Sequence, residues 1–127
     1  MDTIIVGSRS IKDPKIIIEA IEKCGWEISS VVVGNSLGVD RVAAAWARNN
    51  NIPLTIMPAN WSETVPGPGS PRNVAMAKKA QGLLAIWDGK SPGTKQMLRM
   101  AKYYKLKRSV CYAKPSIGNI VQEVGDL

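Results

Sequence analysis

Several residue types are absent or scarce in this chain of 127 residues. It has no His and no Phe, and aromatic residues make up only 6% of it. No apolar run approaches the roughly 18 residues of a membrane span, so we expect no membrane-spanning segment and no membrane partner. Without His, acid–base chemistry near neutral pH would have to use a carboxylate, Lys, Tyr or Cys with a shifted pKa.

Cysteine is scarce as well. Cys24 and Cys111 lie in apolar segments far apart in the sequence. A buried, reduced pair fits these positions better than a disulfide does, because disulfides are typical of oxidising compartments. The sequence therefore predicts a cytoplasmic protein, and it indicates neither a metal site nor an obligatory cofactor.

Positive charge is in excess. The formal net charge is +7, which favours anionic partners such as nucleotides, phosphates or nucleic acid. The basic residues crowd into the last third of the chain, at Lys90, Lys95, Arg99, Lys102, Lys105, Lys107 and Arg108. We expect most of them to form a solvated helix face.

Strands and helices alternate in the sequence pattern. Short apolar runs at residues 3–7, 30–33, 54–57, 83–87 and 109–113 predict strands, and the amphipathic segments between them predict four helices. This alternation predicts an α/β chain with a Rossmann-like three-layer fold and a five-stranded, mostly parallel sheet. We expect one domain over residues 1–113. Residues 114–127 would form a C-terminal extension that packs on the domain or on a partner subunit.

Four unusual loops are predicted at one edge of this sheet. Glycine-containing turns follow the first, second and fourth strands, and a long polar loop, residues 59–71, follows the third. In open parallel sheets, ligands bind at the carboxyl ends of the strands, where the strand order reverses. Trp61 in the long loop could stack on a base or merely anchor the loop, whereas Trp46 and Trp87 fit core positions.

The first two turns carry candidate phosphate ligands. After the first strand, the hydroxyl and guanidinium of a Gly-Ser-Arg turn could contact phosphate, or the turn could be an ordinary one. After the second strand, a glycine turn runs directly into a helix, whose first N–H groups suit an anion. That turn could equally be a helix start capped by Ser36 and Asp40. The candidate binding residues are Gly7, Ser8, Arg9, Gly34, Asn35, Ser36, Gly38, Val39 and Asp40.

The remaining two turns add further candidates. Arg72 at a helix N-terminus is electrostatically unfavourable, so we expect it to serve a ligand anion or a carboxylate. Asp88 at a strand end could hydrogen-bond a ribose or act as a base, and the helix start that follows could hold phosphate. The candidate binding residues here are Arg72, Asn73, Asp88, Gly89, Ser91, Gly93 and Thr94.

Taken together, the four motifs resemble the SLOG superfamily, specifically its small YspA/YpsA-related branch. The matching segments are Gly7–Arg9, Gly34–Asp40, Gly69–Asn73 and Ser91–Thr94, in order along residues 3–113. The resemblance implies a Rossmann-like fold and the binding of nucleotides or nucleotide-derived molecules.

Two positions depart from the family pattern. Asn35 replaces a glycine of the second motif. The related cytokinin-activating phosphoribohydrolases place a glutamate three residues after the threonine of their Gly-x-Gly-Thr motif, and that position is Met97 here. A thioether can neither donate nor accept a proton in catalysis, so we do not expect phosphoribohydrolase activity in this chain.

The sequence therefore predicts a binding module for a nucleotide-derived ligand, acting as a sensor or a sequestering protein. One alternative is a hydrolase or transferase at an N-glycosidic or phosphate bond, with Arg72, Asp88 or Asp40 as its catalytic residues. A second is DNA binding, by analogy with the DNA-processing protein A branch of the superfamily. Homo-oligomers are common among such small domains, and we expect one here.

Overall fold

The fold alternates strands and helices along the chain. The computed structural model describes residues 1–58 and 70–113 in full and the backbone of residues 120–126. The strands are β1 (Asp2–Gly7), β2 (Ser30–Val33), β3 (Leu54–Ile56), β4 (Gly82–Trp87), β5 (Lys107–Ala113) and β6 (Ile120–Asp126). The helices are α1 (Pro14–Glu22), α2 (Val39–Asn49), α3 (Pro71–Lys78) and α4 (Pro92–Tyr103). All nine predicted elements are present close to these bounds.

One sheet joins all six strands. Its order is β3-β2-β1-β4-β5-β6. Strands β1 to β5 are parallel to one another, whereas β6 runs antiparallel to β5. The predicted α/β, Rossmann-like class with five parallel strands is confirmed. The sixth strand was not predicted, because an edge strand held by backbone pairing needs no strong apolar alternation.

Helices cover both faces of the sheet. Successive strand residues point to opposite faces, so on β1 Ile5 packs in the cluster under α1 and α2, while Ile4 packs in the cluster under α3 and α4. On β4, Leu84 and Leu83 divide between the two clusters in the same way. The result is the three-layer arrangement. No helix in the described ranges is long and apolar enough to cross a membrane.

The two cysteines belong to the core. Cys24 and Cys111 are buried and free of disulfides, in the cluster under α1 and α2. Burial raises the pKa of Cys24 to about 12 and that of Cys111 to about 11. Both thiols therefore stay protonated at neutral pH and cannot act as nucleophiles there.

The strand order creates a crevice between β1 and β4. These neighbouring strands are followed by helices on opposite faces, since α1 belongs to one core cluster and α4 to the other. The two connections diverge as they leave the sheet, and the space between them opens at the carboxyl ends of the strands. The fold thus places the predicted loops around a common opening.

Candidate functional site

A cleft of about 1000 Å³ occupies this opening. Its walls come from the turns after β1, β2 and β4 and from the start of α3. All the site residues predicted from the sequence line the cleft except Gly38, Val39 and Gly89. Most of the residues predicted to bind a ligand therefore line one cleft, although several of them contact one another and not an open space.

The three exceptions belong to the supporting structure. Val39 is buried beneath the cleft, and a Cβ added to Gly7 would lie 2.8 Å from the Val39 Cβ. Gly7 is thus required for the close packing of α2 on β1, as well as lining the cleft. Gly38 precedes α2 at a φ of 87°, in the left-handed region that favours glycine. Gly89 is exposed in the β4–α4 turn.

At the N-terminus of α4, which lines the cleft, hydrogen-bond donors remain unused by any described residue. Pro92 occupies the first helical position, and no side chain caps the helix. The first N–H to reach a carbonyl is that of Lys95, which donates to Ser91 O at 3.2 Å. Within the described ranges, the N–H groups of Gly93 and Thr94 have no partner. A helix N-terminus of this kind carries a partial positive charge and suits an anion.

Thr94 adds a hydroxyl at the same place. It is only 4% exposed, it lines the cleft, and its Oγ1 makes no hydrogen bond to any described residue. A buried hydroxyl without a partner costs free energy comparable to a lost hydrogen bond. Its position suits a ligand that both the hydroxyl and the neighbouring N–H groups can contact.

Asp88 is fully engaged in holding the β4–α4 turn. Its Oδ1 accepts from the N–H groups of Lys90 and Ser91, each at 2.8 Å. Its Oδ2 accepts from Ser91 Oγ at 3.0 Å and from Ser10 Oγ at 3.1 Å. Burial acts to raise the pKa of Asp88, but the hydrogen bonds outweigh it and hold that pKa well below its usual range. Such a carboxylate is a weak base, and its role in this geometry is to shape the turn.

Ser8 ties the turn after β1 to the turn after β4. Its Oγ accepts from the Asp88 N–H at 3.0 Å, and its own N–H donates to Ile86 O at 3.0 Å. Ser8 is almost completely buried, whereas Arg9 beside it is exposed at the rim. Ser8 thus fixes the floor of the cleft, and Arg9 provides a cation at its mouth.

Arg72 extends from α3 across the ends of β2 and β3. Its Nε donates to Asn73 Oδ1 at 2.7 Å, and its Nη1 donates to Met57 O at 3.1 Å. Asn73 is in turn held by Gln96, because the Asn73 amide donates to Gln96 Oε1 at 2.8 Å. Gln96 was missed from the sequence, since it sits on α4 outside every motif and only the packing of α3 on α4 brings it here.

Gly34 leaves space for the Arg72 guanidinium. A Cβ at residue 34 would lie 3.2 Å from Arg72 Cζ, closer still to Arg72 Nη1, and 2.9 Å from Asp40 Oδ2. The sequence predicted an anion at the helix N-terminus that follows this turn. In the structure, it is an arginine and a carboxylate that approach Gly34.

Asp40 lies in the first turn of α2 and is 8% exposed. Its Oδ2 accepts from Ser36 Oγ at 2.6 Å and from Ser36 N at 3.1 Å. Neither residue caps α2, whose cap position is Gly38 without a side-chain bond. Desolvation raises the pKa of Asp40, while the Ser36 hydrogen bonds and the charge of Arg72 act in the opposite direction. Arg72 therefore acts on this carboxylate through its charge, while its described hydrogen bonds go to Asn73 and Met57.

The tryptophans play no part in the described lining. Trp46 packs half-buried against the core cluster of α1 and α2. Trp87 packs against Tyr112 with the two rings tilted, at a centroid distance of 5.9 Å, and its Nε1 donates to Ser91 O. Trp61 and the glycines of the long loop lie outside the described residues. Met97, at the position of the phosphoribohydrolase glutamate, is buried and lines the cleft.

These features define a class of protein: a small Rossmann-like α/β module with a cleft at its topological switch point. Residues 1–63 match the family described as YspA, cpYpsA-related SLOG family. This match confirms the resemblance drawn from the motifs, and the chain is a SLOG-family protein of this branch. A comparison with curated proteins finds no match.

Proposed function

We propose that this protein binds a nucleotide or nucleotide-derived ligand, whose phosphate lies at the N-terminus of α4. The observation that carries the proposal is the buried Thr94 hydroxyl, which has no partner in the described structure and lines the cleft beside the unused N–H groups of Gly93 and Thr94. Three donors converging at a helix N-terminus suit a phosphate group.

Comparison with the other helices supports this position. The carboxylate of Asp13 caps α1, and the hydroxyl of Ser70 caps α3. The first turn of α2 contains Asp40, whose negative charge opposes an anion. Helix α4 has neither a side-chain cap nor an acidic residue in its first turn. Its N-terminus is therefore the most favourable of the four for a phosphate.

Two further observations favour a nucleotide and favour binding over hydrolysis. A cleft of about 1000 Å³ is at the upper end of the size range of small-molecule sites, and the SLOG family consists of nucleotide-related Rossmann-like modules. Asp88 is engaged by four donors, and Met97 stands where the related hydrolases have a glutamate. We further propose that the protein is cytoplasmic and that it forms a homo-oligomer.

Calorimetry with inorganic phosphate, ribose 5-phosphate and the nucleoside 5′-monophosphates tests this proposal. Thr94→Val should weaken every phosphate-containing ligand about tenfold, because it removes one hydrogen bond to a charged group. The matched control is Thr55→Val on β3, where the side chain is exposed and away from the cleft.

The same variant separates a binding role from a structural one. Because the Thr94 hydroxyl has no described partner, its removal should leave the melting temperature of the ligand-free protein unchanged or raise it. Equal affinities of wild type and Thr94→Val for every bound phosphate compound would contradict the proposal. So would the absence of any binding to the wild type.

A second candidate function, DNA binding, is favoured by the distribution of charge. Residues 1–58 contain six basic and six acidic residues, whereas residues 70–113 contain ten basic residues and only Asp88 as an acidic one. Lys95, Arg99 and Lys102 are exposed on α4, and their spacing places them on one face. In the described structure, the single ion pair joins Lys23 to Glu19 on the opposite side of the sheet.

Fluorescence anisotropy with labelled duplex DNA tests this candidate. Binding should weaken steeply with salt, and Arg99→Glu should weaken it further. The control is Arg48→Glu, which makes the same charge change at an exposed position on α2. A wild-type protein that leaves the duplex free at low salt would remove this function.

A further inference from the structure

One carboxylate oxygen of the buried Asp40 has no hydrogen-bond partner among the residues that the structure describes. Ser36 supplies two donors to Oδ2, whereas Oδ1 accepts no hydrogen bond from any residue in the described ranges. The side chain is 8% exposed and lines the cleft. A buried carboxylate oxygen needs donors, and a ligand in the cleft that Asp40 lines can supply them.

Arg72 complements Asp40 at this end of the cleft. The carboxylate and the guanidinium both border Gly34 and interact electrostatically, although they form no direct ion pair. Together they offer a ligand an acceptor group, the Asp40 carboxylate, and a donor group, the Arg72 guanidinium, and their opposite charges nearly cancel. A neutral group that carries an N–H or O–H beside an acceptor fits this pair, whereas a second phosphate would be opposed by Asp40.

The two ends of the cleft lie two strand spacings apart along the sheet. Asp40 and Gly34 lie beyond the end of β2, and Thr94 lies beyond the end of β4, with β1 between them. Two strand spacings correspond to about 10 Å. This is comparable to the distance in a nucleotide from its phosphate to the far edge of its base.

We propose that Asp40 and Arg72 form a second subsite, which receives a neutral, hydrogen-bond-donating end of the ligand whose phosphate lies at α4. The substrate class is then a nucleoside monophosphate or a close analogue with one anionic end. This inference rests on the proposed function for the phosphate end and assigns the recognition of the opposite end to Asp40.

The donor can belong to a nucleobase or to a ribose, and the choice of probes distinguishes them. Ribose 5-phosphate has the hydroxyls without a base, and the four nucleoside monophosphates add different base edges. If a base donates to Asp40, the affinities of the four nucleotides differ and exceed that of ribose 5-phosphate. If the ribose donates, all five bind alike and more tightly than inorganic phosphate.

Asp40→Asn reverses the hydrogen-bonding polarity of the subsite. The two Ser36 donors will retain the amide oxygen in the place of Oδ2, so the NH₂ group will face the cleft where Oδ1 was. We expect the best-bound of these probes to lose about tenfold or more in affinity, because a donor then meets a donor. Inorganic phosphate should not bind more weakly, since the variant removes a negative charge. Asp13→Asn, at an exposed helix cap outside the cleft, is the control for net charge.

The outcomes separate this inference from the proposed function. If the wild type binds none of the probes, the phosphate site itself is wrong. If phosphate binds and Thr94→Val weakens it, but Asp40→Asn leaves every probe at its wild-type affinity, the second subsite is wrong. Wild-type protein alone gives an independent check, because five sugar-phosphate probes that bind no better than inorganic phosphate would also overturn the inference.

Discussion

Asp88 offers a sharp test of whether a cleft carboxylate has a structural or a chemical role. Asp88→Ala removes the acceptor for two backbone N–H groups and two hydroxyls. Losing a side chain that caps backbone N–H groups costs about 1 kcal/mol. The two hydroxyl contacts add about another 1 kcal/mol after allowance for solvent. We therefore expect the free energy of unfolding to fall by about 2 kcal/mol, which corresponds to about 6–10 °C in melting temperature.

The pH dependence of this effect has a definite sign. The pKa of Asp88 is lower in the folded state than its ordinary value. The carboxylate therefore contributes stability at pH values above its unfolded pKa of about 4, and this contribution declines as the pH falls toward the folded pKa. The difference between wild type and Asp88→Ala should be full at pH 7 and smaller at pH 3.

Urea unfolding at the two pH values measures this difference, and Asp88→Asn is the matched control. An asparagine oxygen can still accept from Lys90 N and Ser91 N, and its NH₂ group can donate to the two hydroxyls. We expect that variant to lose less than half as much stability as Asp88→Ala. If Asp88→Ala is as stable as wild type at pH 7, or if the difference grows as the pH falls, the structural account of Asp88 is wrong.

Two further predictions concern Gly34 and Asp40. Gly34→Ala should displace the Arg72 guanidinium from β2 and weaken nucleotide binding, and the overpacking should lower the free energy of unfolding by about 1–3 kcal/mol. The control is Gly93→Ala, where an added Cβ has open space. Equal melting temperatures of the two variants would contradict the packing argument. The folded-state pKa of Asp40 is raised, so its ionisation destabilises the folded protein. Asp40→Asn should therefore gain stability relative to wild type as the pH rises from about 4. Urea unfolding of both proteins across this range measures the difference in stability, and a difference that does not change with pH would contradict the prediction.

The sequence was sufficient for the fold because each local signal agreed with the global arrangement. Asp13 followed by Pro14 predicted the start of α1, and the structure has the carboxylate capping that helix. The β-branched run at Ser30–Val33 predicted a buried strand, and it pairs with β1 at the centre of the sheet. Strand β6 escaped prediction because its position depends on pairing with β5, a non-local interaction with no strong local pattern.

The lining of the candidate site was predictable for a topological reason, whereas its internal contacts were not. Parallel strands bring every β–α turn to one edge, so Ser8, Asp40 and Thr94 share a cleft whatever their individual roles. The role of each depends on packing between elements distant in sequence. Gln96 accepts a hydrogen bond from the Asn73 amide, and the Met57 carbonyl oxygen accepts one from Arg72.

Gly34 illustrates that a glycine in a turn does not by itself identify the group that packs against it. A glycine at a strand-to-helix turn indicates that something approaches the backbone closely, but the sequence does not identify what approaches. At the end of β2 an arginine from α3 fills that space beside a carboxylate, so this turn offers a donor–acceptor pair. At the end of β4, an added Cβ on Gly93 would meet nothing within 4 Å, so that turn leaves its N–H groups open. In the binding mode proposed above, the two glycine turns therefore receive opposite ends of one ligand, with the anionic end at α4.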